Sequence, residues 1–250
     1  MKLLLVNPNT TASMTDKMRE AACAVASAGT EIIAVTAEYG PKSIEGYYDE
    51  VFSIPAMLDA VKAHPDASGV VVGCFDDTGV DAARCVTSAP VIGICQAAMQ
   101  VASVVSGSFT VVTTLGRSVP VLERLVRRYG HADLCRRVRA SDIPVLALED
   151  PASGARDRLR CEMRRALDED GCEAIVLGCA GMVDMARSLS EELGVPVVEG
   201  VTAAVKIVEG LAVLGISTSK RGGYAPPRPK VYTGAFSRYG VGGGTTATEC

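Results

Sequence analysis

Two short strings hold the reactive groups of this 250-residue chain. Val71-Val72-Gly73-Cys74 returns as Val176-Leu177-Gly178-Cys179, an interval of 105 residues. Each thiol follows an apolar, β-branched run that ends in glycine, a strand signature with the cysteine at its carboxyl end. A thiol has an unperturbed pKa of about 8.5, so a modest downward shift yields useful thiolate at neutral pH. Unpaired N–H groups at the start of a following helix are expected to provide that shift. Two matched thiols on opposite sides of one carbon supply what inversion of a stereocentre needs. One removes the proton, the other delivers a proton to the opposite face, and their roles exchange with the hand of the substrate. Cys74 and Cys179 are expected to be that acid/base pair.

The other cysteines give no such pattern. A cysteine without a motif is most often a small buried hydrophobe, and Cys23, Cys95, Cys135, Cys161 and Cys172 are read that way. Cys85 falls on a helix-like stretch, and Cys250 is terminal with no local motif. The total of nine is odd, no CxxC occurs, and His64 and His131 are isolated, which argues against a disulfide framework or a zinc site. His131 follows Arg127-Arg128-Tyr129-Gly130 and reads as part of a solvated turn, which leaves a cysteine hydrolase without its base. No strand is followed by GxGxxG, and no lysine sits in a motif that would hold pyridoxal. The chemistry is expected to need neither metal nor organic cofactor.

The elements that position the thiols come in two series. Candidate strands lie at 3–6, 31–35, 70–73 and 91–94, then at 109–113, 144–148, 174–178 and 196–198. Helix-like stretches at 13–26, 55–63, 120–128, 157–168, 184–193 and 202–214 alternate with them, the pattern of parallel sheets with crossover helices. The series resemble each other beyond the cysteines. Pro90-Val91 answers to Pro196-Val197, Ala97-Ala98 to Ala203-Ala204, and Val6 to Val112. An internal duplication accounts for all of these. The expected fold is α/β, with two similar pseudo-symmetric lobes, each a parallel sheet flanked by helices, and the active site in the cleft between them. The expected division is 1–98 plus 206–240 for the first lobe and 99–205 for the second. A Gly-, Ser- and Thr-rich tail at 241–250 is expected to be flexible.

Charge and hydropathy narrow the partners. A net charge of −4 without a basic run argues against nucleic acid. The leading apolar run, Leu3 to Val6, is too short for a signal peptide, and no stretch approaches the ~20 apolar residues of a membrane span. The expectation is a cytoplasmic homo-oligomer acting on a small molecule.

The chain resembles the Asp/Glu/hydantoin racemase superfamily, and within it the hydantoin racemases and their allantoin racemase relatives. The likeness runs from about Leu3 to Lys220. It rests on VNPNTTASMT from Val6, PKSIEG from Pro41, GCFDDTGVDAAR from Gly73, PVIGICQAA from Pro90, VVTTLGRSVP from Val111, PVLALED from Pro144 and VLGCAGM from Val176. The resemblance implies a two-lobed fold and cofactor-free racemisation by two cysteines at a carbon next to a carbonyl, here Cys74 and Cys179. It implies a substrate cleft lined by Asn9, Ser43, Ile44, Phe75, Asp76, Thr113, Thr114, Ala180 and Gly181. The N–H groups around Phe75 and Ala180 are candidate donors to substrate oxygens. Thr78 departs from the pattern, since many relatives have proline in this segment, and the change is expected to leave the thiol untouched. The pair Asp76-Asp77 leans toward the hydantoin branch. Amino-acid racemases of the superfamily usually follow their cysteines with Asn-Thr and Thr-His, unlike Phe75-Asp76 and Ala180-Gly181 here.

Several of these residues have a plainer reading. One of Asp76 and Asp77 is expected to cap the helix that follows, while a close carboxylate would raise the Cys74 pKa against the helix effect. Thr113 and Thr114 end a strand where threonine is common, yet their hydroxyls could donate to a carbonyl. Asn9 suits a helix N-cap as well as a cleft residue. The function expected is racemisation of 5-substituted hydantoins, a cyclic ureide class. Its alternatives are an allantoin racemase, an amino-acid racemase, a related decarboxylase needing one of the two cysteines, and a non-catalytic ligand-binding protein on the same lobes.

Overall fold

The computed structural model describes residues 1–240, so the tail at 241–250, with Cys250, lies outside the described residues. Two parallel four-stranded sheets form, in strand order β2-β1-β3-β4 and β6-β5-β7-β8. The first comprises β1 (Lys2–Asn7), β2 (Glu31–Thr36), β3 (Gly69–Val72) and β4 (Val91–Gly93). The second comprises β5 (Phe109–Thr113), β6 (Cys135–Ala140), β7 (Ala174–Gly178) and β8 (Val197–Val198). The second order is the first with every strand number raised by four, which is the duplication expressed as topology. Leu3, Leu4, Leu5 and Val6 are each at most 1% exposed, because helices cover both sheet faces. Each such burial contributes about 1.5–3 kcal/mol.

The helices are α1 (Ala12–Val25), α2 (Tyr47–Ala63), α3 (Val80–Val86), α4 (Ile94–Val105), α5 (Val119–Arg128), α6 (Ala155–Arg165), α7 (Ala186–Leu193) and α8 (Gly200–Val213). The last helix of each series crosses to the other sheet: α4 packs on β7, α8 on β3 and β4, and the two pack on each other. One apolar core therefore joins both sheets, from Leu3, Leu5 and Val71 through Ile94, Ala98, Val201 and Val205 to Phe109, Val111 and Val176. Separate cores lie under the outer faces, around Met57 and Val61 in one lobe and Leu159 and Met163 in the other. No helix among the described residues is long and apolar enough to cross a membrane.

Several expectations are corrected. The strand beside β5 is Cys135–Ala140, and the stretch expected as a strand at 144–148 instead enters a 3₁₀ turn, Val145–Glu149. Pro144 precedes that turn with no N–H for a ladder, while the Arg-rich edge strand buries mainly Val138 and Arg139. Helix α2 starts eight residues before Pro55, which sits inside it. His131 is 8% exposed and edge-on to Phe109, not in a solvated turn, because its backbone closes the end of α5 onto Val126. Cys23 and Cys161 are exposed on helix surfaces, where neither lies on the stripe of α1 or α6 that faces a sheet. The segment after α8 returns to the first lobe: Thr218 bonds to Ser88 and Ala89, Tyr224 to Asp81, and Tyr239 to Asp59.

Candidate active site

In each sheet the chain runs outward in both directions from the two central strands, β1/β3 and β5/β7, and such switch points leave a crevice at the strands' carboxyl ends. Asn9 follows β1, Cys74 follows β3, Thr113 ends β5 with Thr114 directly after it, and Cys179 follows β7. The two crevices face each other, and the cavity between them is lined by Asn9, Ile44, Cys74, Phe75, Asp76, Thr113, Thr114, Cys179, Ala180 and Gly181. Ser43 alone of the expected residues does not line this cavity; its hydroxyl donates to Glu45 at 3.2 Å. Met14, Ser118 and Val145, with the glycines before the two thiols, Gly73 and Gly178, complete the lining without having been expected to line it. Val145 carried no signal because residues 144–148 read as a strand.

Both cysteines are partly exposed in the cleft. Their surroundings repeat: the N–H of the second residue on, Asp76 or Gly181, points at the sulfur and favours thiolate. Neither gets the helix-derived lowering expected of it. Helix α3 starts six residues past Cys74, and Cys179 precedes a 3₁₀ turn, Ala180–Met185. Burial instead dominates and raises both thiols, Cys179 to about 11 and Cys74 well above the ordinary range. The Asp76 carboxylate raises both further, and Glu149 and Glu45 add to the effect at Cys179. Thr78, contrary to expectation, touches the thiol: its hydroxyl donates to Cys74 Sγ at 3.4 Å because the turn after β3 folds back over the sulfur.

The two aspartates divide their work. Asp77 has a positive φ of 49° and accepts from the N–H groups of Cys95 (2.9 Å) and Gln96 (3.0 Å) and from the Tyr129 hydroxyl (2.6 Å). It thus caps α4, seventeen residues on, rather than the helix that follows it. Gly93 makes room, since a Cβ there would lie 2.0 Å from Asp77 Oδ1. The second lobe does this locally: Glu199, in the position of Gly93, caps α8 through Val201 and Thr202. Asp76 is left to the cleft, where burial, with the charges of Glu50 and Asp77, raises its carboxyl to about 7.

Asn9 does not cap α1, whose N-cap is Thr11; its Oδ1 instead accepts from Thr11 N and Asn7 Nδ2, holding the loop after β1 against the cleft. The Thr113 hydroxyl proton is used on the Gly178 carbonyl at 3.0 Å, which ties β5 to β7 directly before Cys179. The N–H groups of Phe75 and Ala180 have no partner among the described residues. Over the mouth, loops that follow β2 and β6 meet, with Val145 N–H donating to Glu45 at 3.4 Å, and Lys17 of α1 pairs with Glu149 at 2.9 Å. The enclosed space is ≈ 40 Å³, room for a few waters. No Lys, Arg or His lines it among the described residues.

The family model described as Asp/Glu/hydantoin racemase matches residues 3–208. A protein of Rhizobium meliloti named hydantoin racemase is 51% identical over 94% of this chain and 98% of its own. Another of that name, from Pseudomonas sp. (strain NS671), is 43% identical over 98% of this chain and 100% of its own. The solved structure of allantoin racemase from Klebsiella pneumoniae superposes with a TM-score of 0.92 at 44% identity, covering 95% of this chain and 98% of that one.

Proposed function

The chain belongs to the Asp/Glu/hydantoin racemase family and is a racemase, and from that premise we propose that it interconverts the enantiomers of 5-substituted hydantoins through Cys74 and Cys179. The observation that carries this reading is the pair of thiols on opposite walls of one small cleft, each at the end of a matching strand. The C5 proton of a hydantoin lies between a carbonyl and a ring nitrogen, so its loss gives an enolate spread onto oxygen. One thiolate takes that proton, and the free N–H groups of Phe75 and Ala180 hold the developing oxyanion. The opposite thiol then protonates the other face. Thiols of raised pKa are the stronger bases for such a carbon acid, at the expense of a small thiolate fraction near neutrality.

The charges around the cleft support an uncharged ring over a free amino acid. An amino acid brings a carboxylate, and the cleft meets it with thiols, Asp76 and the nearby Glu45 and Glu149, and with no cation among the lining residues. Allantoin is the second reading, favoured by the solved allantoin racemase at 44% identity. A polarimetric panel of optically pure 5-alkylhydantoins, allantoin, L-aspartate and L-glutamate separates these readings. A hydantoin is expected to turn over fastest. Faster allantoin turnover would move the assignment to the second reading, and faster amino-acid turnover would overturn the cyclic-ureide assignment altogether.

A further inference from the structure

Every conversion leaves the two thiols in the opposite protonation state. The thiolate has gained the substrate's proton, and the thiol has given up its own. Before a second molecule of the same hand can react, the new thiol must lose a proton and the new thiolate must regain one. The enclosed cleft offers few ways to do this. Apart from the thiols, Asp76 is the one titratable group lining it among the described residues.

Asp76 also lines a second cavity, of ≈ 400 Å³, whose rim is formed by the exposed Tyr47, Arg124 and Arg128. The carboxylates that face Asp76 are Asp77 and Glu50, and the thiols face it from the cleft. Asp77 is occupied by two N–H groups and the Tyr129 hydroxyl. Glu50 is different: its Oε1 is buried in the wall of the second cavity with no hydrogen-bond partner, and Arg124 faces it from α5. A buried carboxylate oxygen without a partner is costly unless water or a proton reaches it.

We propose that Asp76 and Glu50 form a relay that carries protons between the cleft thiols and the water of the second cavity, resetting the enzyme between turnovers. This rests on the two-thiol reading above. In the outward leg the protonated thiol passes its proton to the Asp76 carboxylate, which passes it to Glu50 and then to water. In the return leg a water proton reaches Glu50, then Asp76, then the waiting thiolate. The net change is one thiol deprotonated and the other protonated, with no proton gained or lost overall. Asp76, held near 7, takes up and releases a proton with comparable ease at neutral pH.

The test separates reset from chemistry, using the ring that the wild-type enzyme turns over fastest. One assay follows net conversion of a pure enantiomer at saturating concentration. The other follows a trace of labelled enantiomer into its mirror image within a racemic mixture, where molecules of opposite hand reset the thiols for each other. In Glu50→Gln, net conversion is expected to fall ~10-fold or more while tracer exchange stays within about twofold, the loss of one proton-transfer group acting on reset alone. Glu50→Asp keeps a carboxyl and should fall between Gln and wild type; it carries the same comparison if Gln does not fold. Parallel loss of both rates, or loss of neither, overturns the relay. A wild-type enzyme inert on every ring sinks the cyclic-ureide reading instead.

Discussion

At the residue scale, the protonation of Cys74 is set by opposing neighbours. Burial and the Asp76 charge favour the thiol, while the Asp76 N–H and the Thr78 hydroxyl favour the thiolate. Removing the hydroxyl with Thr78→Val should raise the Cys74 pKa further. A hydrogen bond to a charged group is worth about 1.5–3 kcal/mol, so the thiolate limb of the pH–rate profile should move up by about one to two pH units. The rate at neutral pH should fall with it. An unmoved limb would mean that this hydroxyl does not hold the thiolate. No local signal assigns Thr78 this role. It stood out as a departure from its relatives, but only the turn after β3 brings a side chain four residues on back over the sulfur. The cysteines were legible because each ends a strand that the chain repeats. Glu50 was not legible, since a lone glutamate at the start of a helix reads as a solvated charge.

At the scale of elements, the strands buried on both faces were legible from continuous apolar runs, and β6 was not. Its sequence, CRRVRA, presents three arginines, yet Arg139 is 5% exposed, held by Asp170, Glu169 and Glu162. Burial of a guanidinium among carboxylates of α6 and of the helical turn that follows it, Ala166–Asp170, is a tertiary fact that no local pattern contains. Arg139 in turn holds the Asp170 carboxyl below the ordinary range. Arg139→Ala should therefore cost about 3–5 kcal/mol at pH 7, because it strands a buried charge. The stabilisation is present above the ordinary Asp value of about 4 and is lost as pH falls through the lowered one, so the gap between wild type and variant should narrow in acid. Denaturant unfolding at pH 7 and at a pH well below about 4 checks this; equal gaps under the two conditions would contradict it. The cap on α4 shows the same limit. An aspartate before a helix was legible as a cap, but the helix that Asp77 serves follows the next strand.

At the scale of the whole molecule, duplication places a strand-ending cysteine in each half, and the shared α4/α8 core fixes the halves face to face. We propose that residues 1–98 with 206–240 form one lobe and 99–205 the other, with each lobe contributing one thiol. Serine at either position is far too weak a base near neutrality, so Cys74→Ser and Cys179→Ser should each lose inversion almost completely. The remaining thiolate still reaches the enantiomer whose proton faces it and, with no acid opposite, returns a deuteron to the same face. Proton NMR in deuterated water, with each pure enantiomer and each variant, reads this directly. Exchange at C5 is expected with retained configuration, for one enantiomer only in each variant, and for opposite enantiomers in the two. Exchange of the same enantiomer by both variants, or wild-type inversion by either, would contradict it.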